Sequence, residues 1–255
     1  MGDNKVWDTE ILLDNETFDY VEFSVSAWRE WITKTMVALD KIEVDEIKLL
    51  VYFSIIEMMA QEYENFPTGH LQDSFSRFVL NFQSKYDFLH LADPVTLFYR
   101  LETLLAASIS LDDFGDGGVY YPKTAVIRSK VLEIQERLST LKGSEYADKR
   151  LKEHRYVDLL YRMRCRLSHE FSAPHTSFNK SATEPYYINC SRTFLSSGDI
   201  IRDQVWKLLF PVCFVKDLCL NCFENYLNYC VENHIPPNVN NGMDRFCELS
   251  WYSKQ

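Results

Sequence analysis

The stretch RYVDLLYRMRCRLSHEF, residues 155–171, decides how the rest of the chain is read. It is an amphipathic run whose apolar residues recur at helical steps, and its last two turns crowd Arg162, Arg164, Arg166 and His169 together. A helix from Lys149 to about Phe171 is expected. Over its length lie Lys149, Arg150, Lys152, Arg155, Arg162, Arg164 and Arg166, against only Glu153 and Asp158 before the terminal His169-Glu170. Exposed structural helices ordinarily mix their signs, because like charges one turn apart repel and unlike ones attract. A helix of one sign therefore either faces an anion or pairs with carboxylates on its neighbours. Phosphate suits the first case, since arginine forks match its oxygens two at a time.

Outward from that helix the chain reads as helical too. Ser24 to Asp40 places Trp28, Trp31, Ile32, Thr35 and Leu39 at three- and four-residue steps, and Asp45 caps a second run, IKLLVYFSIIEMMAQEYENF. The second run is apolar nearly all round, which places it centrally in a bundle. Glu57 is its exception, a carboxylate inside a greasy turn that must lie at a rim or be paired. After a break at Pro67-Thr68-Gly69, Leu71, Phe75, Phe78, Val79 and Phe82 stripe a third helix through Tyr86. Pro94 opens a fourth, VTLFYRLETLLAASIS, and Ala125 to Leu141 form another that stops at Gly143. Beyond Pro174, the alternation of Tyr187, Asn189 and Ser191 suggests a small hairpin or ordered loop. Asp203 to Asn233 reads as a last long helix kinked at Pro211, followed by a Pro/Asn-rich tail that could pack Trp251 back on the body. The expected fold is an all-α helical bundle, one domain over residues 1–255 with an N-terminal lead, a hairpin insertion and a C-terminal helical extension.

Several chemistries are disfavoured. The 8 glycines of the 255 residues include no glycine-rich turn after a strand-like run, against nucleotide-cradling α/β folds. A net charge of -10 opposes a generally basic surface, so any nucleic-acid site must be local. The aspartate-rich DDFGDGGVYYP loop fails as a calcium site, because Phe114 stands where an oxygen donor is needed. Cys219, Cys222, Cys230 and His234 are zinc-ligand types, yet on one helix Cys219 and His234 lie about 22 Å apart, too far for one ion. No metal and no cofactor are expected. No window holds the roughly 18 consecutive apolar residues of a membrane span, and the start lacks a charged segment followed by an apolar one. A soluble cytoplasmic protein with its 7 cysteines reduced is the expectation.

The string RCRLSHEF, Arg164 to Phe171, ends a basic helix that follows several bundle helices, and so resembles the R-x4–6-H motif of HEPN domains, compact helical ribonucleases of prokaryotic toxin and phage-defence systems. The match covers about ten residues and departs at Cys165, where the family prefers asparagine, aspartate or histidine. The resemblance implies metal-independent RNA cleavage by attack of the ribose 2′-hydroxyl, leaving a 2′,3′-cyclic phosphate and sparing DNA. It implies Arg164 and His169 as the catalytic pair, the arginine steadying the phosphorane and the histidine moving the proton. Arg162, Arg166 and Arg155 would contact RNA phosphates, while Cys165, Glu57 or Asp158 could orient the pair. Implied partners are RNA, a second copy of the chain in a homodimer or higher homo-oligomer, and a cognate antitoxin or regulatory protein. A module that binds RNA, nucleotide or a protein partner without cutting is the alternative that Cys165 motivates. Helical geometry separates the arginines: Arg162 at seven residues shares a face with His169, whereas Arg164 at five lies about 140° around.

Overall fold

The computed structural model describes residues 19–64, 71–101, 119–120, 123–170, 182–196 and 199–237. In chain order the elements are α1 (Tyr20–Asp40), α2 (Asp45–Tyr63), α3 (Leu71–Phe82), a 3-10 turn (Asp87–His90), α4 (Pro94–Arg100), β1 (Val119–Tyr120), α5 (Thr124–Lys142), α6 (Ser144–Glu153), α7 (Tyr156–Glu170), β2 (Tyr186–Ser196), β3 (Asp199–Leu209) and α8 (Val212–Glu232). The fold is mostly helical, with one antiparallel hairpin and a two-residue strand beside it. The chain divides into two compact units, residues 36–226 and residues 1–35 together with 227–255. In the smaller unit Val25, Trp28 and Ile32 are buried, and Arg29 Nη2 donates to Asn228 Oδ1 at 3.3 Å.

In the larger unit α2 is central for the reason its composition gives. Leu49, Tyr52, Phe53, Ile55, Ile56, Met59 and Ala60 are buried around more than one face. The single stripe of α3, Phe75, Phe78, Val79 and Phe82, packs an aromatic cluster in which Phe75 meets Phe53 and Tyr161 at 6.3 and 5.4 Å and Phe78 meets Phe82 and Tyr226 at 4.8 and 5.6 Å. Offset and edge-on arrangements of this kind add to the plain burial of the rings. α5 stops at Gly143, whose φ of 91° lies where a side chain would strain the backbone.

Two expected elements are different in the structure. The basic run does not form one helix from Lys149 to Phe171: it breaks at His154-Arg155 into α6 and α7. There the backbone pairs instead with residues 91–93, as Asp93 N donates to His154 O at 2.8 Å, Tyr156 N donates to Leu91 O at 3.0 Å, and Ala92 bridges Arg155. The second correction concerns Asp203 to Leu209, which is strand and not helix. β3 pairs with β2 along eleven positions, from Tyr186↔Leu209 to Ser196↔Asp199, and β1 adds Val119↔Ile188 and Tyr120↔Tyr187 on the other side of β2. Trp206 and Tyr187 pack with Val95 on one face of the hairpin, while Tyr186, Ile188 and Leu209 pack with Ala182 on the other. Burial on both faces overrides the helical reading of this run. Pro211, expected as a kink, lies just before α8, its carbonyl accepting from Val215 N at 3.1 Å.

Other expected helices form with shifted ends. α3 stops at Phe82 and not Tyr86, and Asp45 is the first residue of α2 without capping it, the cap position being Val44. α4 ends at Arg100 with Leu101 as its cap, short of the expected run to Ser110. Residues 102–110 of that run, the aspartate-rich loop apart from Val119-Tyr120, Phe171, the loop around Pro67, and the tail with Cys247 and Trp251 lie outside the described residues.

Candidate functional site: a cationic face on α7

The N-terminal end of α7 is pinned by a buried polar chain. Asp93 caps α4, its Oδ1 accepting from Val95 N at 3.2 Å and its Oδ2 from Thr96 N at 2.9 Å. The Tyr187 hydroxyl of β2 donates to the same carboxylate, and the Tyr156 hydroxyl of α7 bonds to Tyr187. Burial raises the Asp93 carboxyl above its usual range against the pull of those hydrogen bonds, and it raises both tyrosines as well. Three elements far apart in sequence are thus tied at one point, which fixes where α7 begins and how it is rotated.

From that start the faces of α7 follow the helical repeat. Tyr156, Val157, Leu160, Tyr161, Met163 and Leu167 are buried, while Arg162, Arg166 and His169 are exposed. The three exposed residues fall within about 60° of one another around the axis and form one stripe along the last two turns. Among the described residues no hydrogen bond or ion pair reaches the ring of His169. Arg162 Nη2 donates to the backbone carbonyl of Glu153 at 2.7 Å, which fans its guanidinium toward the break with α6.

Arg164 points elsewhere. Its Nη2 donates to Glu57 Oε2 on α2, and its guanidinium lies 5.9 Å from the Tyr161 ring. Glu57 is buried and its Oε1 has no partner, so Arg164 is what offsets that charge. The same surroundings push the Tyr161 hydroxyl up to about 12, burial first and the neighbouring Cys165 and Glu57 after it. Asp158 is also engaged: it accepts from Arg155 Nε at 2.7 Å, Ser76 Oγ at 2.8 Å and Gln72 Nε2 at 3.3 Å. It stands about 16 Å from His169 along the helix, too far to orient that ring. Cys165 is half-buried. The structure therefore groups Arg162, Arg166 and His169, and separates them from Arg164, Glu57, Asp158 and Arg155.

Both readings of the one-sign segment apply, to different residues. Arg150, Arg155 and Arg164 pair with Glu153, Asp158 and Glu57, respectively. Among the described residues Lys149, Lys152, Arg162 and Arg166 have no carboxylate partner.

Beside the exposed stripe is a cavity of about 560 Å³ between α4, α7 and the outer edge of β3. Its walls include Arg100, Arg162, Arg166 and Lys207 but no carboxylate side chain. Arg100 and Lys207 were not foreseen, and the sequence carried no signal for them: Lys207 reads as a helical surface residue until β3 forms. Among the described residues no group of three or more His, Cys, Asp and Glu could hold a metal ion, and no helix is long and apolar enough to cross a membrane. All six described cysteines are thiols, and burial raises those of Cys219 and Cys222, which makes them poor nucleophiles. Fold and site together define a class: a mostly helical bundle carrying one hairpin and a cation-lined cleft on its basic helix. No family model, curated protein or solved structure matches the chain.

Proposed function

We propose that this chain is an HEPN-like endoribonuclease that cuts RNA without a metal ion, in the toxin or phage-defence setting that the motif resemblance implies. The observation that carries this reading is the exposed stripe of Arg162, Arg166 and His169 on one uninterrupted helix of a protein whose net charge is -10. Arg162 and Arg166 would hold the phosphate that flanks the scissile bond. The His169 imidazole would take the proton of the 2′-hydroxyl as its oxygen attacks phosphorus. The 5′-oxygen then leaves with a proton, and the products are a 2′,3′-cyclic phosphate and a free 5′-hydroxyl. A histidine can supply each proton transfer, and a homodimer that brings two copies of His169 to one strand would supply both at once. Arg164, held by Glu57, would serve by fixing α7 and not by touching the phosphate.

The test is labelled RNA in excess EDTA beside the same strand carrying 2′-deoxyribose at every position. The expected result is cyclic-phosphate product from the RNA alone, reduced about a hundredfold or more by His169→Ala. Cleavage that survives His169→Ala, or that needs a divalent ion, sinks the proposal. A second reading, RNA binding without cleavage, is favoured by the pairing of Arg164 with Glu57, which draws the motif arginine away from His169. Salt-sensitive binding that Arg162→Ala and Arg166→Ala weaken, with intact RNA under every condition, would select it.

A further inference from the structure

We infer that the cavity between α4, α7 and β3 is a binding site for a free nucleoside di- or triphosphate. The site shares Arg162 and Arg166 with the proposed RNA face but does not include His169, so it does not depend on whether that histidine cleaves RNA. Charge is the first observation. Arg100 closes α4, and Arg162 and Arg166 stand one turn apart on α7, so two elements bring three cations to one hollow that β3 closes. Arg162 and Arg166 at i and i+4 repel each other, a cost that a bound polyanion converts to a gain. Among the described residues neither Arg100 nor Arg166 is ion-paired, and no lining carboxylate competes for the three arginines. Three or four negative charges on adjacent phosphates match that set, and guanidinium forks hold phosphate oxygens in pairs.

The remaining walls are the second observation. Tyr99, Leu159, Met163, Trp206, Leu208 and Phe210 line the hollow with apolar and aromatic surface, and its volume is that of a small-molecule site. A bare polyphosphate has no use for such walls, whereas a planar base buries against them. The edge of β3 also supplies hydrogen-bonding groups. Tyr99 Oη accepts from Trp206 N at 3.0 Å, so the peptide N–H of Trp206 points away from β2. In an antiparallel ladder the groups alternate, which directs those of Leu208 to the same outer edge, where they can read the polar rim of a base. A site built from three arginines and no carboxylate binds the metal-free nucleotide, unlike sites that grip phosphates through magnesium.

The experiment is isothermal titration of the full chain, in EDTA, with ATP, GTP, adenosine and inorganic tripolyphosphate. Nucleoside triphosphate is expected to bind, adenosine to bind at least about a hundredfold more weakly, and tripolyphosphate about tenfold or more weakly than ATP. Arg166→Gln, at a solvent-facing position, is expected to weaken ATP about tenfold, and Arg162→Gln with Arg166→Gln further. Arg137→Gln on exposed α5 surface should change nothing. Circular dichroism of each variant separates lost binding from lost fold. No heat with ATP or GTP for the folded wild type overturns the inference, and so does tripolyphosphate binding as tightly as ATP, which would leave a simple anion site. Nucleotide binding with no RNA cleavage would uphold this site while removing the ribonuclease reading, and cleavage without nucleotide binding would do the reverse.

Discussion

Replacing Arg164 by methionine should destabilise the protein by about 3–5 kcal/mol, the range for breaking one side of a buried ion pair. The value follows from what the substitution leaves behind. The side chain of Glu57 is only 10% exposed, its Oε1 has no hydrogen-bond partner, and Arg164 Nη2 is the group that meets Oε2. Methionine would fill much of the arginine's volume, so the loss is the stranded carboxylate and not a cavity. The contact with Tyr161 adds about 0.5–1 kcal/mol. Urea unfolding with a slope near 3 kcal/mol/M should show a midpoint lower by about 1–1.7 M. The companion variant, Glu57→Leu with Arg164→Met, removes both charges among Ile55, Ile56, Met58 and Met59 and should recover to within about 1 kcal/mol of wild type. A single Arg164→Met variant that costs less than about 1 kcal/mol would refute the reasoning, because Arg164 would then be idle structurally and available for phosphate. The folded double variant also tests the chemistry: if Arg162 and Arg166 hold the scissile phosphate, its RNA cleavage should stay within about tenfold of wild type, whereas a hundredfold loss returns Arg164 to the site.

Two further outcomes are expected. Burial raises the Glu62 carboxyl to about 8, and its Oε2 has no hydrogen-bond partner. An unfolded glutamate releases its proton near pH 4.3, so between about 4.3 and about 8 the unfolded chain gives up a proton that the folded chain keeps. Stability is therefore full below the lower value, falls as pH rises, and levels off above the upper one. Glu62→Gln should flatten that fall, and parallel wild-type and variant curves from pH 5 to pH 9 would count against it. Tyr187→Phe deletes the hydroxyl that donates to Asp93 and bonds to Tyr156 where both rings are fully buried, and should cost about 1–3 kcal/mol by thermal or urea unfolding. No measurable loss would mean that this polar chain does not secure the start of α7.

Legibility in the sequence varied with the range of the forces involved. The stripe of Phe75, Phe78, Val79 and Phe82 and the stop at Gly143 were readable, because spacing along one helix and the backbone freedom of glycine are local properties. So was the shared face of Arg162 and His169, and the angular distance of Arg164 from it. The strand character of Asp203 to Leu209 was not. Its apolar run suits a buried helix as well as a buried strand, and only pairing with β2 distinguishes them. The break at His154-Arg155 was hidden for the same reason, since the groups that capture those peptide bonds come from residues 91–93.

The candidate site divides along that line. By itself the sequence determined that the protein is mostly helical, that the run ending in Arg162, Arg164, Arg166 and His169 is an amphipathic helix, and that cations are concentrated in residues 149–166 against an acidic background. Only the tertiary structure decided which cations face solvent. Glu57, 107 residues from Arg164, takes that arginine out of the exposed set, and Asp158 takes Arg155. Arg100 and Lys207 join Arg162 and Arg166 because α4 and β3 are brought against α7. The physical reason is that periodicity reports a residue's direction relative to its own helix axis. Whether a charge is neutralised or left for a ligand depends on what packs in that direction, and that is settled by contacts between residues remote in the chain.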